Sequence, residues 1–337
     1  MNLAGSIHKG IISIKPGGVH NTHILKRRRN TIFFEDLISE YYKICEQHGH
    51  GEQLYSTAQE WMAKVGITLS PPEVLKNPGI NIINNIQNPM WSNLGLINKI
   101  HAEQDKDRVS VTVESPCCTR IIGKNAFMSG VFTGAMNYAF LRQVELLSEK
   151  TTKERSIFEY KILSTKFVNN AIDRQKYIKM NEIPDTKSTS MKHALNAKTI
   201  QLHENNRLYL RNHPLWYVEN TIFHMLGHRG LMLAELEDLS KNFFKSLIDK
   251  DTSLENKLRL LKTIIQTLGW GIVTILIDGN QIIIKIDFIP HGLQTTPDNY
   301  SLLTSVWTGY LKAINENSEL QNSTVTSNTH YLKYSIH

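Results

Sequence analysis

Cys45, His48 and His50, followed closely by Glu52, place four groups of metal-ligand type on one short stretch. Zinc favours Cys and His at such spacing, but a structural site needs four ligands, and no second Cys/His pair lies nearby in sequence. The same pattern describes a helix stopped by Gly49, with the histidines set against its last carbonyls. We take that reading and assign no metal. His224 and His228 stand four apart and can share a helix face, yet Met225 occupies the position where a zincin carries its glutamate. Vicinal Cys117-Cys118 is a conceivable redox pair, but adjacent cysteines bridge only with strained backbone, so two packed thiols are expected. Glu114 and Asp287 each end a predicted strand before a proline loop. Together they suit acid–base work, and singly they suit strand ends. No phosphate loop, Walker pattern or nucleophile elbow is present. No catalytic residue and no cofactor are assigned.

The net charge is +7, and its densest cluster is Lys26-Arg27-Arg28-Arg29. Such a run can hold an anion or an acidic partner. We read residues 1–30 as a solvated basic arm, with no helix or aromatic platform that would make it a specific nucleic-acid reader. No run reaches the roughly 18 apolar residues of a membrane span. Ser6, His8 and Lys9 interrupt any signal-peptide core. Three cysteines in 337 residues fit a reducing compartment, so a cytoplasmic protein is expected.

Periodicity predicts the elements that would position these groups. Helices are expected over 32–46, capped by Thr31, and over 52–65. A hairpin follows over 96–113, then a long helix over 125–147 and a strand over 156–163. A polar connector, 165–208, separates two domains, 31–164 and 209–337. In the second, the pattern predicts helices over 216–226, 231–247 and 254–268. A hairpin turning at Asp278-Gly279, a helix over 300–314 and a strand over 330–336 complete it. The fold class is α+β.

Both domains thus share one order of elements, and residues match along it. Leu94-Gly95 answers Leu268-Gly269, Pro116 answers Pro290, and Val131-Phe132-Thr133-Gly134 answers Val306-Trp307-Thr308-Gly309. Tyr160 and Ile162 answer Tyr334 and Ile336, with all these offsets between 173 and 175. Two tandem repeats packed as an intramolecular pseudo-dimer are expected, which would cover the face that one small sheet leaves open. Gly134 and Gly309 are expected at the seam between the halves. The long helices carry Phe127, Phe132, Met136 and Phe140 in the first half, and Tyr300, Trp307 and Leu311 in the second. These side chains can line an apolar ligand pocket or simply fill the core.

The Gly227–Gly230 junction, the Leu268-Gly269-Trp270-Gly271 turn, the hairpin and closing helix after it, and the stretch 125–134 resemble the 4-vinyl reductase domain. The resemblance covers most of the chain outside the arm and the connector. It implies the fold shared with haem–nitric-oxide sensor domains and a vesicle-tethering subunit family. It also implies binding of small apolar or tetrapyrrole-like molecules, or work as an assembly subunit, often as a dimer. The chain departs from that family at Asn125, where the resemblance would place a cysteine. It also lacks cysteine throughout the second half and the Tyr-x-Ser-x-Arg haem motif. No family metal or haem site carries over. The expected function is non-enzymatic: binding of a small apolar ligand, or scaffold and adaptor work with protein partners. A tetrapyrrole- or lipid-modifying enzyme or accessory factor is the alternative, on the family name alone.

Overall fold

The computed structural model describes residues 12–15, 18–21, 28–167, 174–183, 191–249, 251–293, 297–326 and 328–336. Strands β1 (Ile12–Lys15), β2 (Gly18–Asn21) and β3 (Arg28–Phe34) open the chain, followed by helices α1 (Glu35–Gln47) and α2 (Gly51–Leu69). The short helix α3 (Pro72–Leu75), a π-helical turn (Ile82–Gln87) and α4 (Asn88–Asn93) lead to the hairpin β4 (Lys99–Asp105) and β5 (Arg108–Glu114). Next come α5 (Thr119–Ile122), α6 (Ala126–Phe140), β6 (Arg142–Thr151) and β7 (Arg155–Lys166). Helices α7 (Arg174–Met180) and α8 (Met191–Asn196) precede β8 (Ile200–Leu202), β9 (Leu208–Leu210) and β10 (His213–Val218). The rest comprises α9 (Thr221–Arg229), α10 (Leu233–Leu247), α11 (Leu254–Thr267), β11 (Ile272–Asp278) and β12 (Gln281–Asp287), then α12 (Ser301–Ile314), β13 (Ser318–Val325) and β14 (Thr329–Ile336). No helix among the described residues is long and apolar enough to cross a membrane.

The fold is α+β. Two four-stranded antiparallel sheets have the same strand order, β4-β5-β7-β6 and β11-β12-β14-β13. Their inner faces alternate as the sequence does: Val109, Val111 and Val113 are buried in one, and Ile282, Ile284 and Ile286 in the other. The long helices close on their own sheets. Phe132 of α6 meets Phe158 of β7 at 5.0 Å between ring centres, and Thr308 of α12 meets the Tyr334 hydroxyl of β14 at 3.1 Å.

A third sheet, β1-β2-β3-β10-β9-β8, has no counterpart in the expected architecture. It takes strands from the predicted arm, from both predicted domains and from the predicted connector. Its centre is the antiparallel pair β3–β10, in which Phe34 faces Leu215 and Thr31 faces Val218. Two predicted helices are therefore strands at their start: residues 32–34 belong to β3, and 216–218 belong to β10. Ile32-Phe33-Phe34 is apolar on consecutive positions because that strand is buried on both faces.

The predicted helix over 125–147 ends at Phe140. Leu141 closes it in the left-handed conformation, φ 53° and ψ 30°, and β6 follows at once. A leucine in the place usually given to glycine sends no stop signal. In the second half the hairpin pairs Asp278 with Gln281, so its two-residue loop is Gly279-Asn280.

The glycine seam also needs correction. A Cβ on Gly134 would stand 2.4 Å from the Gln59 carbonyl of α2, and one on Gly309 would stand 2.3 Å from the Glu237 carbonyl of α10. Each glycine permits close helix approach inside its own half. The strand contact between the halves is the β3–β10 pair.

Candidate functional site

A cavity of about 160 Å³ lies beside the β3–β10 pair, walled mostly by the first half and closed on one side by residues of the second. Helix α2 contributes Trp61, Met62 and Val65 to its wall, and α6 contributes Met128, Val131 and Phe132. Its outer side is built by residues 70–97, including Gln87, Trp91 and Leu96, and its inner side by Trp216–Glu219 at the end of β10. Most of this wall is apolar, aromatic or sulfur-bearing, the usual character of small-molecule sites.

Polar groups on the wall are mostly engaged. Glu219 is buried and accepts hydrogen bonds from Trp61 Nε1 (3.0 Å), the Tyr177 hydroxyl (2.7 Å), and Thr221 N–H and Oγ1 (3.0 and 2.9 Å). Asn30 Nδ2 donates to the Tyr217 hydroxyl at 2.8 Å, and Ser70 Oγ and the Tyr138 hydroxyl lie 2.7 Å apart.

The turn that shapes one wall recurs in the second half. After α4, Leu94, Gly95 and Leu96 donate to the carbonyls of Met90, Ser92 and Trp91. After α11, Leu268, Gly269 and Trp270 donate to those of Ile264, Gln266 and Ile265. Both are Schellman closures with glycine at positive φ, 71° and 90°. The residue delivered by that turn differs. Leu96 stands on the cavity wall with Phe132, whereas Trp270 meets Trp307 edge-on at 5.9 Å and packs with Phe33 and Phe223.

Arginine clamps the turn in both halves. Arg120 Nη1 donates to the carbonyls of Gly95 (3.0 Å) and Ser115 (3.3 Å), while its Nη2 meets Glu35 Oε2 at 2.5 Å. Arg29 donates to the corresponding carbonyls, Gly269 (2.9 Å) and Phe288 (2.6 Å). Burial pulls the Arg29 guanidinium down to about 9, against the opposing pull of Tyr300 and Tyr177. Burial also acts to lower Arg120, but the Glu35 carboxylate outweighs it and raises that guanidinium. Arg29 is thus a buried structural clamp and not part of a solvated arm. Lys26 and Arg27 lie outside the described residues, and Arg28 takes part in β3 by its backbone.

The other predicted residues scatter. Of the nine proposed for pocket or seam, Phe132 alone lines the cavity. Phe127 stacks on Tyr42 at 4.0 Å, and Met136, Phe140, Tyr300, Trp307 and Leu311 are buried in the cores. Cys45 is buried, while His48 Nδ1 lies 2.9 Å from the Ile44 carbonyl and His50 Nδ1 lies 2.7 Å from Gln53 Oε1. His224 faces the Pro290 carbonyl inside the protein, and His228 is exposed. Cys117 and Cys118 are free buried thiols. Glu114 and Asp287 stand on different sheets. Among the described residues no three His, Cys, Asp or Glu side chains converge as a metal site.

Sequence reasoning missed Gln87, Leu96, Trp61 and Trp216. Gln87 sits in an Asn-rich stretch that reads as loop, and Trp216 sits in a segment that reads as helix. Only the substitution of Leu96 by Trp270 between the matched turns was available as a signal. Compared with protein-family models and with curated proteins, the chain has no match.

Proposed function

We propose that this protein is a non-enzymatic binder of a small apolar ligand, formed from two like halves packed about the β3–β10 pair, with the ligand held beside Leu96 and Phe132. Two features support the pseudo-dimer: the common strand order and the matched turns. The resemblance to 4-vinyl reductase domains is kept as part of this reading. Three buried free cysteines support a cytoplasmic setting.

The cavity carries the functional reading. Its volume, about 160 Å³, is close to the roughly 150 Å³ of an apolar cavity that holds benzene. It is well below the roughly 300–1,000 Å³ of drug-sized sites. A tetrapyrrole is far too large to be enclosed in it, which counts against the tetrapyrrole form of the enzyme alternative. Toluene is therefore expected to raise the melting temperature of the wild-type protein by mass action. Leu96→Trp, which imports the second half's solution, is expected to abolish that rise while keeping the fold. An adaptor that needs no ligand would show no toluene-dependent shift in either protein.

A further inference from the structure

We propose that this protein pairs with a second copy of itself through the edge strand β11, joining two four-stranded sheets into one continuous sheet. The contact stands apart from the cavity and follows from how the two halves treat the same sheet edge.

Strands β4 and β11 are edge strands of like sheets. Their hairpins share one register: Lys99 faces Glu114 and Asp105 faces Arg108, as Ile272 faces Asp287 and Asp278 faces Gln281. Counting back from the closing pair, alternate residues turn their N–H and C=O away from the partner strand. These are Ile100, Ala102 and Gln104 in the first half, and Val273, Ile275 and Ile277 in the second. The first half covers this edge. Asn88 Oδ1 accepts from Ile100 N–H at 3.0 Å. Asn84 meets Ala102 as a neighbouring strand would, donating to its carbonyl at 2.9 Å and accepting from its N–H at 2.8 Å. In the second half Gln266 Oε1 accepts from Val273 N–H at 2.8 Å, the counterpart of the Asn88 bond. Asn84 has no counterpart. Among the described residues nothing bonds the outward groups of Ile275 and Ile277.

The side chains differ in the same sense. Where β4 carries Glu103 and Gln104, β11 carries Leu276 and Ile277. These two are 55% and 54% exposed, more than any other large apolar side chain among the described residues. Charge on an edge strand discourages pairing, and a bare apolar edge is a template for it.

This edge is self-complementary. A two-fold axis through Leu276 sets Ile275 opposite the partner's Ile277, and the two exchange both hydrogen bonds on either side of the axis. Every free group of both edges is then paired, and the bond from Val273 to Gln266 is untouched. An axis at Ile275 would need the Val273 N–H that Gln266 holds. One at Ile277 would set Ile275 against the Gly279 turn, and one at Asp278 would bring two carboxylates face to face. With the axis at Leu276, that side chain meets the partner's Leu276. Asp278 meets the partner's Thr274, whose cross-strand neighbour is Lys285, so acid and base stand in one row across the seam. The apolar pairs and the charged row come from β11 itself, which makes a second copy the occupant.

Sedimentation velocity of the full-length protein over a range of concentrations tests this. The wild type is expected to show a monomer–dimer equilibrium. Leu276→Glu, which imports the first half's residue, is expected to weaken it at least about tenfold by opposing two carboxylates and losing apolar burial. Its monomer should melt as the wild-type monomer does, since the site is exposed. Leu276→Cys reads the register. Directly opposed, non-hydrogen-bonded residues have Cα atoms about 4.5 Å apart, inside the roughly 4.4–6.8 Å that a disulfide spans. Mild oxidation is expected to give a disulfide dimer of Leu276→Cys. Thr274→Cys should give none, because its two copies stand more than about 13 Å apart at ~3.4 Å per residue. A wild type that stays monomeric at every concentration would overturn the proposal and leave the edge to an extended peptide of another protein. A dimer that Leu276→Glu leaves intact, or equal cross-linking of both cysteine variants, would place the contact elsewhere and overturn it too.

Discussion

The two halves of this protein solve one structural problem twice and differ in what they leave empty. Each delivers a residue into its core from a Schellman turn, and each clamps that turn to the end of the following hairpin with an arginine. In the first half the clamp is Arg120, paired with Glu35. In the second it is Arg29, which reaches across from β3. The side chains delivered are Leu96 in one half, beside Phe132 on the cavity wall, and Trp270 in the other, against Trp307. Backbone geometry is thus held in common while side-chain volume is not, and the smaller pair stands at the cavity.

The comparison is broken most severely at Glu35. Glu35→Ala leaves the Arg120 guanidinium, whose side chain is only 10% exposed, without its carboxylate. It is expected to cost about 3–5 kcal/mol in chemical denaturation. A loss below about 1 kcal/mol, the range of a surface pair, would show that the clamp does not depend on Glu35.

The matched glycines offer a milder test. Gly134→Ala and Gly309→Ala should each destabilise by about 1–3 kcal/mol through overpacking, because the new Cβ meets a helix carbonyl in either half. Unequal thermal shifts, with one variant unaffected, would separate the two helix pairs.

Acid distinguishes the halves in another way. In the second half, burial lowers His224 to about 3 and His330 to about 4, from an ordinary 6.5. Both are neutral in the folded protein, and the unfolded chain binds their protons first. Their stabilisation is complete above pH 6.5 and is lost as pH falls towards 4 and then 3, by up to about 1.4 kcal/mol per pH unit for each group. His330→Gln should flatten the dependence of melting temperature on pH across that window. An unchanged slope would remove His330 from the account.

Much of the fold was legible in the sequence where the signal is local. Alternation located both hairpins, since Val109, Val111 and Val113 face one core and Ile282, Ile284 and Ile286 the other. The helix pattern located α2, α10, α11 and α12. What failed was long-range or unsignalled. The partners β3 and β10 are far apart in sequence and run directly into helices, so their apolar residues extend a helical pattern. Leu141 ends α6 without glycine or proline, and β13 is a largely exposed edge strand with no alternation. The cavity was harder still, because a void depends on the volumes of side chains from several elements. Phe132 was found as one of several core aromatics, and Gln87 carries no local mark.

Xenon binding in a pressurised crystal tests the central claim most directly, since xenon enters dry apolar cavities of this size. The account predicts xenon between Leu96 and Phe132 in the first half, and none beside Trp270 and Trp307 in the second. Absence of xenon from the first half, or equal occupancy in both, would contradict it.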